Sequence, residues 1–231
     1  MKNLCFLLSR ESHSIREFIE REGGIITSVG DPKTYFDVAI FTPGPSPSPF
    51  FYGEPRMDGV SCDISADMTE AALFRAIDHK IPKIGIGRGA QFLNIMNGGS
   101  SFQKITGHMG EPHPIMDFMT WDEYKGTSLH SDEMIPAPNS VVLAGAQIAD
   151  RKESYGATYI IDAGSKNHQW SDVEATWIEH TNCLCFQPRP DFQYANAPAN
   201  GSLRKAVDST GELFDTYFDE WVKPKIKSLV A

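Results

Sequence analysis

A short apolar run, KIGIG at 83–87, passes without a linker into the segment RGAQFLNIM at 88–96. The first run has the composition of a buried strand, whereas the second repeats apolar residues at helical spacing and stops at Gly98-Gly99. A strand that turns directly into a helix places its turn residue, here Gly87, at the carboxyl end of a sheet and at a helix N-terminus. This geometry is typical of a nucleophile elbow, although many α/β proteins use glycine at such a turn only for packing or phosphate binding.

Strand and helix signals alternate through the rest of the first hundred residues. Apolar runs typical of buried strands occur at residues 4–8, 25–29 and 37–41. One amphipathic helical stretch follows the first of these runs, and a second, after the third run, carries Leu73 and Ile77 and is expected to be capped by Asp67. This alternation predicts an α/β fold: a three-layer, flavodoxin-like, mostly parallel sheet flanked by helices.

The second half of the chain is richer in strand signals, which predict antiparallel additions at the edge of the sheet. These signals occupy residues 140–146, 157–162, 173–180 and 184–187. Residues 100–135 show no clear period and predict an ordered excursion. Residues 193–231 predict a polar connection and a C-terminal helix bounded by Pro224. We therefore expect residues 1–231 to form a single domain.

Four segments, in order, resemble the motifs of class I glutamine amidotransferases, particularly the γ-glutamyl hydrolase-like branch. The string G-I-G-R-G-A-Q-F-L-N-I-M-N-G-G at 85–99 is similar to the G-I-C-R-G-x-Q-x-L-N-x-x-x-G-G segment of that family. Residues 42–54 resemble its glycine loop, residues 127–144 its S-x-H block and residues 184–192 its closing V-Q-[FW]-H-P-E block. The chain also resembles the stand-alone amidotransferase-like proteins of tailed bacteriophages. The resemblance implies one class I glutamine amidotransferase-like domain.

The same resemblance implies that the catalytic triad is degenerate. Active members attack the glutamine amide with a cysteine thiolate, move the proton with a histidine and orient that histidine with a glutamate. Here Gly87 stands at the cysteine position, Arg189 at the histidine position and Asp191 at the glutamate position. Glycine has no nucleophile, and arginine is protonated at any physiological pH and cannot act as a base. No intact catalytic set is therefore predicted.

Parts of the substrate pocket match the family better than the catalytic groups do. Gln91 matches the glutamine that helps to hold the substrate, and Ser128 and His130 match the S-x-H block. Gly44 lies in the glycine loop, and Arg88 supplies a backbone N–H at the helix start. The alternatives are that His130 is an ordinary core or loop histidine and that Gln91 is a polar residue on a helix face.

Other residues could replace the missing groups. Cys185 shares a strand face with Arg189 but lies about 13 Å from it along the strand, and Cys62 falls on a segment without a predicted element. A metal site is a further alternative, although no acidic residue has ligand spacing to its histidines. Those histidines are His108, His113 and His130. No metal and no cofactor are predicted.

The charge and composition of the chain exclude several kinds of partner. With 21 basic and 30 acidic residues the net charge is −9, which argues against nucleic acid and anionic membranes. No stretch approaches the roughly 20 apolar residues of a membrane span, and the apolar run before Arg10 is too short for a signal peptide. The four cysteines are typical of reduced core thiols. We expect a cytoplasmic protein, in the host cytoplasm if a phage encodes it.

Three functions remain open from the sequence. The first is a degenerate glutaminase with a binding, regulatory or scaffolding role, for which a partner enzyme that forms amide bonds is expected. The second is an active amidotransferase or γ-glutamyl hydrolase that uses unrecognised groups or a partner subunit. The third is a purely structural protein. In the first case, Arg189 and the helix start could hold a small carboxylate or another anion, unless Arg189 pairs with Asp191 instead.

Overall fold

The computed structural model describes residues 1–105, 112–127, 129–146, 172–192 and 201–229. Its strands are β1 (Cys5–Leu8), β2 (Ile25–Val29), β3 (Val38–Phe41), β4 (Lys83–Ile86), β5 (Ser100–Phe102), β6 (His113–Asp117), β7 (Glu123–Gly126), β8 (Glu133–Ile135), β9 (Val141–Ala146), β10 (Asp172–Ile178) and β11 (Cys183–Phe186). Its main helices are α1 (His13–Arg21), α2 (Ile64–Ala76), α3 (Arg88–Met96), α4 (Gly201–Tyr217) and α5 (Lys223–Leu229). Within these ranges no helix combines the length and apolarity needed to cross a bilayer.

Five parallel strands form the half of the sheet that carries the predicted elbow. Their order is β2-β1-β3-β4-β11, which corresponds to the 2-1-3-4-5 order of flavodoxin-like folds. The strands β3, β4 and β11 are buried along their whole length, as expected for parallel strands with both faces covered. Because parallel strands end at the same edge, the turn after β4 and the segment after β11 lie side by side there.

Antiparallel strands extend the sheet beyond β11. They follow in the order β10-β9-β6-β7, while β8 pairs with both β10 and β5. The predicted fold class, an α/β fold with a parallel sheet between helices and antiparallel additions, is confirmed. The strands β5 to β8 come from the stretch in which the sequence shows no period, and the strand predicted at 157–162 lies outside the described residues.

Helices cover both faces of the parallel strands and complete the three layers. On one face, Phe214 of α4 makes edge-to-face contacts with Phe18 of α1 and with Phe186 of β11. On the other face, α3 packs on β3 through stacking of Phe92 on Phe41. Ala71 and Leu73 of α2 pack in the same apolar cluster as Phe41 and Phe92. The carboxyl edge of the parallel strands is thus fixed between two packed layers.

Two helix boundaries differ from the prediction. The cap of α2 is Asp63, whose carboxylate accepts a hydrogen bond from the Ala66 N–H at 3.0 Å, whereas Asp67 lies inside the helix and is buried. The C-terminal helix does not end at Pro224, because a π-helical turn at Phe218–Val222 precedes it. Pro224 then falls just after the junction of the π-helical turn with α5, at which the Lys223 N–H donates to the Phe218 carbonyl.

Candidate functional site

The turn between β4 and α3 has the backbone geometry of an elbow. Gly87 adopts φ 57° and ψ −120°, a conformation that residues with a side chain reach only under strain. Its N–H donates to the Phe186 carbonyl at 3.0 Å, and its own carbonyl accepts from the Ala90 N–H at 3.0 Å. The turn is therefore tied to β11 on one side and to α3 on the other.

Two further glycines bring the helix close to the sheet. A Cβ atom on Gly85 would lie 2.4 Å from the Gly89 carbonyl oxygen, and a Cβ on Gly89 would lie 1.9 Å from the Phe41 carbonyl oxygen. Neither distance leaves room for a side chain. This close packing fixes the position of the elbow relative to β3 and β4.

A cleft of about 440 Å³ opens in front of the elbow, a volume typical of small-molecule sites. Six of the eight residues that the sequence selects line it: Gly44, Gly87, Arg88, Gln91, His130 and Arg189. Asp191 is buried and contacts Arg189. Ser128 lies outside the described residues. The structure thus brings together residues that are more than a hundred positions apart in the sequence.

Arg189 fills the space beside Gly87 and is neutralised by Asp191. Its Nε and Nη2 each donate to one carboxylate oxygen of Asp191 at 2.7 Å, which is a bidentate ion pair. Its Cδ lies 3.0 Å from the point where a Cβ on Gly87 would stand. The sequence left two arrangements open for Arg189, a bound anion or an ion pair with Asp191. The structure has the ion pair.

The Arg88 side chain turns away from the cleft into a buried charge cluster. Its guanidinium donates to Asp67 and Glu70 and lies 4.6 Å from the ring centre of Phe92. Glu70 is also 3.3 Å from Nε of Arg10. Because the side chain is used in the core, only the backbone N–H of Arg88, in a first helical turn without intrahelical acceptors, is left for a ligand.

Gly44 lies on the loop after β3 that borders the cleft. A Cβ at this position would come 2.8 Å from Nη2 of Arg10, so the loop runs against the buried charge cluster. The Ser48 N–H donates to Asp67 at 2.7 Å and anchors the same loop to α2. Since Pro45 has no N–H, the residue after Gly44 cannot act as an oxyanion donor.

Gln187 joins Gln91 and His130 at the back of the cleft. Nε2 of Gln91 donates to the Asp132 carbonyl at 2.7 Å and to Oε1 of Gln187 at 3.4 Å. Nε2 of Gln187 lies 3.2 Å from Nε2 of His130, whose Nδ1 is 3.0 Å from the same Asp132 carbonyl. Both ring nitrogens of His130 thus have a hydrogen-bonding partner. Both predicted residues are buried and hydrogen-bonded, yet both also face the cleft.

Glu174 lies behind this row of amides and contacts two histidines. Its Oε1 is 2.8 Å from Nε2 of His113, and its Oε2 is 3.7 Å from Nε2 of His130. The third histidine considered for a metal site, His108, lies outside the described residues. Among the residues that the structure describes, no group of three or more ligating side chains could hold a metal ion.

Within the described lining of the cleft there is no cysteine. Cys183 and Cys185 point into the core on the α3 side, and burial raises the pKa of both thiols. Cys62 is partly buried and forms an isolated parallel bridge with Ser46. A protonated buried thiol is a poor nucleophile, and Cys183 and Cys185 lie in the core and not in the described lining of the cleft.

Sequence reasoning missed three residues of the site. Gln187 carries a detectable signal because it directly follows the apolar strand β11, and Glu174 because it is an acidic residue between Val173 and Ala175 in a predicted strand. Lys104 carries none, since it lies in the stretch without periodicity. It lines the cleft, its Nζ donates to the Asp58 carbonyl at 2.6 Å and its backbone N–H donates to Asp132 at 3.0 Å.

Several solved structures share this fold. A glutamine amidotransferase from Thermotoga maritima matches with a TM-score of 0.55 at 9% identity, over 100% of this chain and 96% of that one. A Thermoplasma acidophilum protein described as one subunit of a GMP synthase matches at 0.53 and 14% identity, covering 94% and 98%. PurLQS from Thermotoga maritima matches at 0.54 and 14% identity, covering 93% and 100%. Identities this low show the fold alone.

Sequence comparison adds the family. A search of curated proteins finds no significant match. The family model of peptidase C26 matches residues 28–149, slightly more than half of the 231 residues. The matched range contains Gly44, the elbow, Gln91 and His130. The chain therefore belongs to the peptidase C26 family of class I glutamine amidotransferase-like proteins.

Proposed function

We propose that this protein keeps the fold and cleft of a class I glutamine amidotransferase but does not hydrolyse glutamine, and that it acts by binding, regulation or scaffolding. One observation carries the proposal. The backbone of Gly87 has the conformation of a nucleophile elbow, but glycine carries no nucleophilic side chain. Cδ of Arg189 lies 3.0 Å from the point where a Cβ on Gly87 would stand.

The three triad positions support this proposal chemically. Loss of the nucleophile alone costs about 10⁶-fold in rate in enzymes of this kind of mechanism. Arg189, paired with Asp191, has no lone pair with which to accept a proton. His130 faces the same cleft, but its ring nitrogens are engaged with Gln187 and with the Asp132 carbonyl. A thiolate, a free base and an orienting acid are therefore not assembled at the elbow.

We further propose that the protein works beside an enzyme that forms amide bonds. Two proteins of similar fold are described as part of a GMP synthase and as PurLQS, and a partner would give a role to a cleft without its own hydrolytic groups. In this proposal residues 1–231 act as one domain. Following the resemblance to proteins of tailed bacteriophages, we place its action in the host cytoplasm.

We expect the protein to be inert toward a glutamine-directed chloroketone, because these reagents alkylate the thiol of the elbow. Intact-mass measurement and peptide mapping after incubation should show no adduct on a residue of the cleft. An active class I amidotransferase treated in parallel serves as the positive control. A Cys62→Ser variant is the second control: an adduct that this variant loses was on Cys62, a partly buried thiol outside the described lining of the cleft. An adduct that maps to the cleft and that glutamine suppresses would overturn the proposal.

A further inference from the structure

A second concave surface lies at the opposite edge of the parallel sheet from the cleft. It is a groove of about 470 Å³, a volume typical of small-molecule sites. Its walls are the loop that leads into β3, the turn between α2 and β4, and α5. Because these connections meet at the amino ends of β3 and β4, the groove shares no described lining residue with the cleft.

The lining of the groove is largely apolar. Phe36, Ile77 and Ile226 line it and are buried, whereas Tyr35 and Leu229 line it and are exposed. Buried apolar side chains that continue into exposed ones leave apolar surface in contact with water. Such a surface on a protein commonly marks a binding site.

Tyr35 is held in one orientation although 69% of it is exposed. Its hydroxyl donates to Oδ1 of Asp37 at 2.6 Å, and its backbone carbonyl accepts from the Thr27 hydroxyl at 2.8 Å. Asp37 is itself fixed, because its Oδ2 accepts from the Cys5 N–H at 2.7 Å. A ring that is already immobilised loses little conformational entropy when a ligand binds, and its face attracts cations.

The turn between α2 and β4 is fixed from inside the fold by Lys83. This side chain is buried, and its ammonium group donates to the carbonyls of Asp78 at 3.0 Å, Ile81 at 2.9 Å and Thr181 at 3.3 Å. An ammonium group has three N–H donors, so these carbonyls use all of them. Lys83 therefore stabilises one wall of the groove but offers no donor to a ligand.

The charged side chains in the described lining of the groove are carboxylates. They belong to Asp37 and Asp78, and this lining includes no lysine, arginine or histidine. Both oxygens of Asp37 already accept hydrogen bonds. Asp78 is exposed, and its carboxylate contacts the Lys80 N–H at 2.8 Å and His79 at 3.4 Å through Oδ1. Its other oxygen thus faces no competing donor among the described residues.

We infer that this groove binds a small organic cation with an apolar body, such as an arylalkylamine. The apolar lining accommodates the body, while the ring of Tyr35 and the carboxylate of Asp78 attract the ammonium group. An anion of the same shape would meet carboxylates in place of basic side chains. The inference is independent of the proposed function, which concerns the cleft at the other edge of the sheet.

Calorimetric titration with 2-phenylethylamine tests the inference at the aromatic ring. Tyr35→Ala removes the ring, and we expect this variant to bind the amine at least about tenfold more weakly than the unmodified protein. Phe50→Ala is the matched control, because Phe50 is also 69% exposed and lies outside the described lining of the groove. This control should bind the amine as the unmodified protein does.

A second pair of variants tests the charge. Asp78→Asn keeps an acceptor for the Lys80 N–H but removes the negative charge, and we expect it to weaken binding of the amine about threefold. Asp122→Asn, at an exposed aspartate outside the described lining of the groove, should have no effect. Titration with 3-phenylpropanoate, which has a similar apolar body and a negative charge, should give much weaker binding than the amine.

Each outcome bears on one part of the inference. Equal affinity for the two probes overturns the choice of a cation, and unchanged affinity of a folded Tyr35→Ala variant overturns the groove as the site. No binding of the amine at millimolar concentration overturns the inference as a whole. Thermal unfolding checks each variant, and Asp78→Asn carries the test if Tyr35→Ala does not fold. Release of ammonia from glutamine would overturn the proposed function alone.

Discussion

A Gly87→Cys, Arg189→His double variant is expected to carry a thiol that is alkylated at pH 7 at least about tenfold faster than an ordinary exposed cysteine. The new thiol would stand at the N-terminus of α3, and the new imidazole beside it would favour the thiolate. Replacing Arg189 also removes the side-chain stem that lies 3.0 Å from the Cβ position of Gly87. Asp191 remains to orient the imidazole.

The matched control for this variant is Gly53→Cys. Gly53 also has a left-handed backbone, with φ 74°, but it is exposed and nothing lies within 4 Å of its Cβ position. Alkylation rates at the two sites, followed by peptide mass spectrometry across a range of pH, compare thiols at two positions of positive φ, of which only Gly87 lies at a helix N-terminus. Gly87→Cys alone should react more slowly than the double variant. A folded double variant whose thiol is no faster than the Gly53 control would show that these residues do not form one site.

An Arg88→Met variant is expected to lower the free energy of unfolding by about 3 kcal/mol or more. The substitution leaves Asp67 and Glu70 as buried carboxylates without their shared guanidinium. Removal of one partner from a buried ion pair leaves an uncompensated charge, which is far more costly than the loss of a surface pair. The cluster also anchors the loop that contains Gly44, so the same change should loosen the rim of the cleft.

Urea unfolding followed by tryptophan fluorescence measures this effect. Arg75→Met, at an exposed arginine in the last turn of α2, is the control and should change stability by no more than about 0.5 kcal/mol. A loss below about 1 kcal/mol for Arg88→Met would mean that the cluster contributes little to the stability of the fold.

The elbow could be predicted from the sequence because its determinants are local. A buried strand, a glycine turn and a helical period follow one another within fifteen residues, and the glycines at 85 and 89 leave few other ways to pack the helix on the sheet. The mostly parallel sheet between helices follows from the same alternation. The positions of Gly44, Gln91 and His130 around one cleft required the family resemblance, since they lie on separate segments.

The remaining parts of the site depend on contacts between distant segments. The local pattern predicts Asp67 as the cap of α2, but this residue binds Arg88, which follows 21 positions later, and no local pattern reveals that pairing. The strands from β5 to β8 are three to five residues long and are defined by their partners rather than by a period of their own. Lys104 reaches the cleft through Asp132 and Asp58, and the sequence does not distinguish it from a surface lysine.

Release of glutamate and ammonia from L-glutamine by the purified protein distinguishes a degenerate glutaminase from an active one. Because we propose that Gly87 stands at the nucleophile position and Arg189 at the base position, we expect a rate no higher than that of a heat-denatured sample, which corresponds to a loss of about 10⁶-fold relative to an active enzyme. Glutamate production above that control, abolished by Arg189→Ala or Asp191→Ala, would instead identify the protein as a working glutaminase.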